Sequence, residues 1–377
     1  MKKRMILSLV WVLVLGTTFL FGGITDEYRK ARELKDKAGA NTVEAVKEII
    51  PYLGDPKPIY RDGAYQALRY NITDEKAIQL MAQELLRNRN VLVRENLAEI
   101  LGYIGKNQKE LVGKALLRSL TRDPKLSVRI EAARALGRLQ YEPAVKALEK
   151  IFKRFNRKTW LLRGEALNSL FLIKGKDALP WVEKGLKDKD YIIRAYSLRL
   201  LGKIDSSKAL DAAMEVLKKT KPKKIFIKGW QPVYVAFRIV LQSSQDKNVN
   251  LPKLREAITL IIELLKGLKG RIFYNAIQTL EKITGEKNII PSYRDWRDYW
   301  AVNKDRFVPK PLKKDDNTEG KRPTTVLRYH GAPLYSTRVV FLVDHSGSMK
   351  NRLGEGDNKG KIKFDVCKSE LVKIIKG

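Results

Sequence analysis

The sequence predicts a mainly α protein, a stack of helical repeats that fills most of the chain and leads into one strand-helix unit of α/β type. Three observations predict it. A short motif recurs five times at nearly constant spacing, the apolar residues within each copy fall at helical steps, and a β-branched run followed by a polar loop and an amphipathic segment stands near the end. The length, 377 residues, leaves room for two or three domains of about 100 to 150 residues.

The chain opens with Met1, Lys2, Lys3 and Arg4 and continues in an apolar run from Met5 to Ile24. A basic start followed by about 20 apolar residues is the pattern of an export signal, so residues 1–24 are assigned as a signal peptide or signal anchor. The run ends without an A-x-A-like small-residue pair, which leaves cleavage near Gly23 and retention in the membrane both open. With the basic start held inside, the remainder is expected outside the cytoplasm: periplasmic, secreted or anchored to the membrane by the N-terminal segment.

One cysteine, Cys367, excludes an intramolecular disulfide, and with His330 and His345 as the two histidines a zinc site has no support. Any metal is therefore expected on oxygen ligands. The formal charge of +33 favours acidic partners such as nucleic acid, anionic lipid headgroups or acidic polysaccharide. Because the basic residues are dispersed, the same charge also fits lysine-rich, solvated helix faces.

The repeats align on Arg61, Arg94, Arg129, Arg163 and Arg194, at spacings of 33, 35, 34 and 31 residues. A period of about 30 to 40 residues marks a solenoid of stacked units. In the copies around Arg94 and Arg194 the apolar positions Leu97, Ile100, Leu101 and Ile104, and Leu198, Leu201 and Ile204, follow a helical face. Ala98, Ala132, Ala133, Ala135, Ala166 and Ala195 allow neighbouring helices to approach. A second helical pattern precedes each arginine, as in Ala77 to Leu86 and Lys114 to Arg122, with a turn such as Asp123-Pro124 between the two, so each unit is a helix pair. Gly102, Gly137, Gly175 and Gly202 are expected to stop the second helices in left-handed caps.

Val128-Arg129 and Ala135-Leu136-Gly137 resemble the second helix of HEAT repeats, and the resemblance runs from about Thr25 to Gly285. It is clear in the middle four units and weaker at both ends, where Pro51, Pro56, Pro58, Pro222 and Pro232 interrupt the period. What it implies is a scaffold or binding surface. The repeated arginines are read as inter-repeat stabilisers, a basic ladder being the alternative. After the last repeat Tyr293, Trp296, Tyr299 and Trp300 share a helix face, read as a core cap that closes the array within residues 25–302, with sugar or base stacking as the alternative. Residues 303–336, with Pro309, Pro311, Pro323 and Pro333, are assigned as a partly extended linker.

Thr337 to Val343 is a continuous β-branched and aromatic run, the pattern of a strand buried on both faces. It leads into Asp344-His345-Ser346-Gly347-Ser348-Met349, and Ile362, Val366, Leu371 and Ile374 then recur at helical spacing. Ligands of open α/β sheets bind at the carboxyl ends of strands. One carboxylate and two hydroxyls at alternate positions there are hard donors suited to Mg²⁺, Mn²⁺ or Ca²⁺. The stretch DHSGSM closely resembles the D-x-S-x-S metal-ion-dependent adhesion motif of von Willebrand factor A-type domains, whose Rossmann-like fold begins with such a strand and helix. The resemblance implies that Asp344, Ser346 and Ser348 are metal ligands and that residues 337–377 are the start of such a domain. That family completes its site with a threonine and an aspartate from later loops, so a divalent cation, Mg²⁺ foremost, is expected where the domain is completed. The chain is expected to be a fragment or a truncated form.

Chemistry is not expected. Ser346 lacks a G-x-S-x-G elbow and a histidine base, and residues 353–360 lack a phosphate-cradling G-x-x-x-x-G-K-[ST]. A HEAT-like base-excision glycosylase needs a cytoplasmic chain. The reading is a non-enzymatic extracytoplasmic scaffold for a protein or acidic ligand, with cation-dependent binding through the A-type domain and no small-molecule substrate. The alternative is a basic helical-repeat protein that binds nucleic acid or another polyanion.

Overall fold

The computed structural model describes residues 29–225, 229–309, 328–329, 332–333, 351–352 and 360–376. It divides into two compact units, Met1–Leu200 and Leu201–Gly377.

In the first unit a helical stretch over residues 29–38 precedes α1 (Val43–Ile49) and a 3₁₀ turn (Ile50–Gly54). There follow α2 (Pro58–Asn71), α3 (Glu75–Arg87), α4 (Val91–Ile104), α5 (Lys109–Arg122), α6 (Leu126–Arg138), α7 (Val145–Lys153), α8 (Trp160–Lys174), α9 (Leu179–Leu186) and α10 (Tyr191–Ile204), of which residues 191–200 belong to this unit. Three of these helices, α1, α3 and α4, start where short polar side chains take up free N–H groups of the first turn: Thr42 accepts from Ala45, Asp74 from Ala77 and Asn90 from Leu92. The first helices of successive pairs, α1, α3 and α5, pack on one another, and so do the second helices α2, α4, α6 and α8. The core lies between these two layers. Leu97, Ile100, Leu101, Leu116, Leu120, Leu136, Leu148 and Leu170 are buried there, and the alanines expected to permit close approach are buried with them.

In the second unit α11 (Ser206–Lys219) packs on α12 (Gln231–Ser243) and on α13 (Leu251–Leu265), and α14 (Gly270–Thr284) packs on α12 and α13. Of the prolines that blur the repeat in the sequence, Pro51, Pro58, Pro222 and Pro232 stand at helix starts and Pro56 in the turn before α2. Pro58 and Pro232 lie in the first turns of α2 and α12, where a missing N–H costs nothing, so the helix pairs continue through both. The aromatic segment forms α15 (Tyr293–Asn303), which packs on α13. Trp296 and Trp300 are buried and Trp300 Nε1 donates to Thr259 Oγ1 at 2.8 Å, whereas Tyr293 is bonded at the surface to Glu263. Half of the stripe is therefore core, as a closing helix requires.

Of the four glycines expected as left-handed caps, Gly175 alone stops its helix, and its ψ of −125° keeps it out of the left-handed helical conformation. Gly175 ends α8 with φ at +58°, whereas Gly102, Gly137 and Gly202 lie inside their helices. A Cβ on Gly137 would stand 2.9 Å from the Cα of Ser169 on α8, so glycine there sets how closely α6 and α8 approach. The left-handed cap of the array's last helix pair is Gly285, at φ +76° after α14.

Within residues 303–336 the backbone of Arg328–Tyr329 (β1) pairs antiparallel with Ala332–Pro333 (β2). A further helix, α16 (Lys363–Lys376), stands where the amphipathic pattern places one. Residues 1–24, the run from Thr337 to Val343 and the motif residues Asp344, Ser346 and Ser348 lie outside the described residues. Among the described residues no helix is long and apolar enough to cross a membrane, and no group of three or more His, Cys, Asp or Glu side chains converges as a metal site would.

Candidate interaction surface

The repeated arginine sits in the first turn of each second helix, beside the end of the preceding helix, where carbonyl groups lack intrahelical partners. Its guanidinium takes up those carbonyls. Arg61 Nη1 donates to Asp55 O at 2.6 Å and Pro56 O at 2.9 Å, Arg94 Nη1 to Asn88 O at 2.8 Å, and Arg194 Nη1 to Asp188 O at 2.8 Å. Arg129 Nε donates to Leu120 O at 2.9 Å and Arg163 Nε to Phe152 O at 3.1 Å.

Two of the five also reach the next repeat. Arg94 binds Asp123 through Nε at 2.7 Å and Nη2 at 3.2 Å, and Arg163 binds both carboxylate oxygens of Asp188. Arg94 is 8% and Arg163 2% exposed. These two are staples between units, with no face left for a polyanion.

Sequence reasoning missed the partner of the arginine. Asp55, Asn88, Asp123, Asn156, Asp188 and Asp246 each accept, through Oδ1, the N–H two residues on, at 2.8 to 3.0 Å. At Asp55, Asn88, Asp123, Asn156 and Asp188 this Asx turn joins the two helices of a pair, and at Asp246 it lies between α12 and α13. Its signal was present as an Asp or Asn just before α2, α4, α6, α8 and α10, but of these the Asp-Pro at 123–124 alone was read as a turn.

The outer side of the second helices carries a different set of residues. Arg69 of α2 lies 3.7 Å from the ring centroid of Tyr103 on α4, and Arg138 of α6 covers the same ring at 4.4 Å. One helix further on, Arg134 of α6 bonds Glu131 of its own helix and reaches Glu165 of α8 at 3.0 Å, and Tyr196 Oη of α10 donates to Glu165 at 3.1 Å. The ladder thus runs across α2, α4, α6, α8 and α10. Burial, followed by the nearby Glu99 carboxylate, pushes the Tyr65 phenol up to about 12. Burial likewise raises the Glu131 carboxyl, against the opposing pull of Arg134. Tyr70, 66% exposed, and Tyr103, 38% exposed, keep their rings in reach of a partner.

The HEAT repeats family model matches residues 78–170 and 149–225. Among solved structures, the complex of CpcE and CpcF of phycocyanin lyase from Nostoc sp. PCC7120 is 17% identical, with 64% of this chain and 94% of that one covered and a TM-score of 0.37. YibA of Escherichia coli is 18% identical, with coverages of 67% and 96% and a TM-score of 0.40. An engineered protein is 19% identical, with coverages of 67% and 73% and a TM-score of 0.34. No curated protein matches the chain.

Proposed function

We propose that this HEAT-like helical scaffold binds a partner protein across the outer side of its second helices, outside the cytoplasm, and that it binds without catalysing. The observation that carries the reading is the Arg69–Tyr103–Arg138 stack and its continuation through Arg134, Glu165 and Tyr196. Arginine and tyrosine are enriched in protein interfaces because they cover large areas at little entropic cost and keep a polar tip. Here they are already immobilised by one another, so less freedom is lost on binding.

Site-specific photocrosslinking in the native host tests this. A crosslinker in place of Tyr103 should give a discrete adduct that is lost in Arg69→Ala plus Arg138→Ala, whereas one in place of Lys114, exposed on α5, should not. Equal adducts from both positions would refute the assignment of the face.

Two finer parts of the proposal rest on the sequence. Export rests on residues 1–24, and protease accessibility from outside the cytoplasm tests it. Cation-dependent binding rests on Asp344, Ser346 and Ser348 in a completed A-type domain. In a form that carries the domain completed, calorimetric Mg²⁺ uptake should disappear with Asp344→Ala; absence of uptake without that substitution would end it.

The charge of +33 favours one other reading, a polyanion-binding surface. Affinity for a nucleic-acid duplex that falls by several orders of magnitude between about 50 and 200 mM salt and survives chelation would support it.

A further inference from the structure

We propose that Arg129, Lys150 and Arg154 form a binding site for a phosphate group, created where the staple between repeats lacks its acid. The Asx turns align the repeats. Arg94 is answered by Asp123 and Arg163 by Asp188, but the turn that should answer Arg129 carries Asn156. Arg129 is oriented as Arg163 is, with Nε on the carbonyl at the end of the preceding helix. Among the described residues it has no carboxylate partner, and its two Nη groups are left for another acceptor.

A cavity of about 390 Å³ opens at this point. Its walls bring Lys150 and Arg154 from the end of α7 beside Arg129 and Asn156, over an apolar floor that includes Leu162, and no acidic side chain lines it. Asn156 Oδ1 is taken by the Lys158 N–H, so the group it has left to offer is its Nδ2 donor. The hydroxyls of Thr121 and Thr159 donate to carbonyls of their own segments and are not needed. The cavity therefore presents three cations and an amide donor and supplies no counter-charge.

A guanidinium held by its Nε offers a planar pair of N–H groups that matches two oxygens of a tetrahedral phosphate, and two further cations neutralise a dianion. The volume falls in the range of small-ligand pockets, enough for a phosphate group with an organic substituent. This inference concerns one repeat and does not depend on the partner-binding face.

Calorimetric titration of the full chain at low ionic strength tests it, with inorganic phosphate, phenyl phosphate and dimethyl phosphate as probes. Saturable binding of inorganic phosphate is expected, with dimethyl phosphate weaker because it is a monoanion. Phenyl phosphate tighter than inorganic phosphate assigns the site to a phosphomonoester; equal affinity assigns it to the free ion.

Asn156→Asp restores the missing acid in a turn that Asp123 already forms, so it keeps the fold. It should weaken phosphate at least tenfold, as should Arg129→Gln. Asn248→Asp makes the same charge change in the Asx turn at Asp246 and should alter affinity less than twofold. Equal losses in Asn156→Asp and Asn248→Asp, or no saturable binding in the unaltered chain, would overturn the proposal.

Discussion

Replacing Asp188 by Asn is the sharpest test of how the repeats are held together. The change keeps the shape of the side chain and the Oδ1 acceptor that takes the Asp190 N–H at 2.8 Å, and Asn88 and Asn156 already make that turn elsewhere. What it removes is the charge facing Arg163. That guanidinium is 2% exposed and cannot rehydrate, so its charge is left without a counter-ion in the interior. Breaking a buried pair by removing one partner costs about 3 to 5 kcal/mol, and the lower end, about 3 kcal/mol, applies here because the amide oxygen still accepts a hydrogen bond. For a unit of this size about 3 kcal/mol lowers the melting temperature by roughly 6 to 12 °C. Thermal and urea unfolding of the full chain measure the loss. Hydrogen exchange should place it in α7 to α10, because a repeat array loses stability around the altered unit. An unchanged midpoint, or lost protection confined to other helices, would refute the view that this staple holds the two neighbouring repeats together.

Two further outcomes are expected. Gly137→Ala should destabilise by about 1 to 2 kcal/mol, since Ala gains about 1 kcal/mol in helix propensity but its Cβ meets Ser169 Cα at 2.9 Å, which no rotamer change relieves; a rise in the unfolding midpoint would show that α6 and α8 can separate at no cost. At alkaline pH the Tyr65 phenol titrates at about 12 in the folded chain against 10.0 ordinarily, so its contribution is complete below pH about 10 and is lost as the pH rises towards 12; Tyr65→Phe should flatten that limb of the melting temperature against pH, and parallel curves would refute the assignment.

The helix pairs were legible because burial imposes a period: Leu97, Ile100 and Leu101 recur at helical steps and are all buried. Where the helices stop was less legible. A glycine after Ala-Leu reads as a cap from the sequence, yet a cap and a close crossing ask for the same residue, and only the position of Ser169 on the neighbouring helix tells them apart at Gly137. Two of the five arginines, Arg94 and Arg163, hold neighbouring repeats together as expected, whereas Arg61, Arg129 and Arg194 bond within their own helix pair. The acidic partners of the first two were not found, because Arg94 and Asp123 lie 29 residues apart and nothing local marks the pair.

The same long-range logic separates what the repeats share from what one of them adds. Each Asx turn needs an Oδ1 acceptor, which Asp and Asn supply equally, so the turn places no demand on charge. The staple does: it exists where the turn residue is Asp123 or Asp188. At Asn156 the fold keeps its turn and gives up its counter-ion, and the interaction forgone inside the chain becomes available to a ligand. Stability and binding therefore compete at one atom of one side chain. Asn156→Asp should trade the second for the first, gaining at most about 1 kcal/mol because Arg129 is partly solvated, while closing the cavity to phosphate. If that variant bound phosphate as before, the competition would not exist, and the neutral turn would carry no meaning beyond its backbone hydrogen bond.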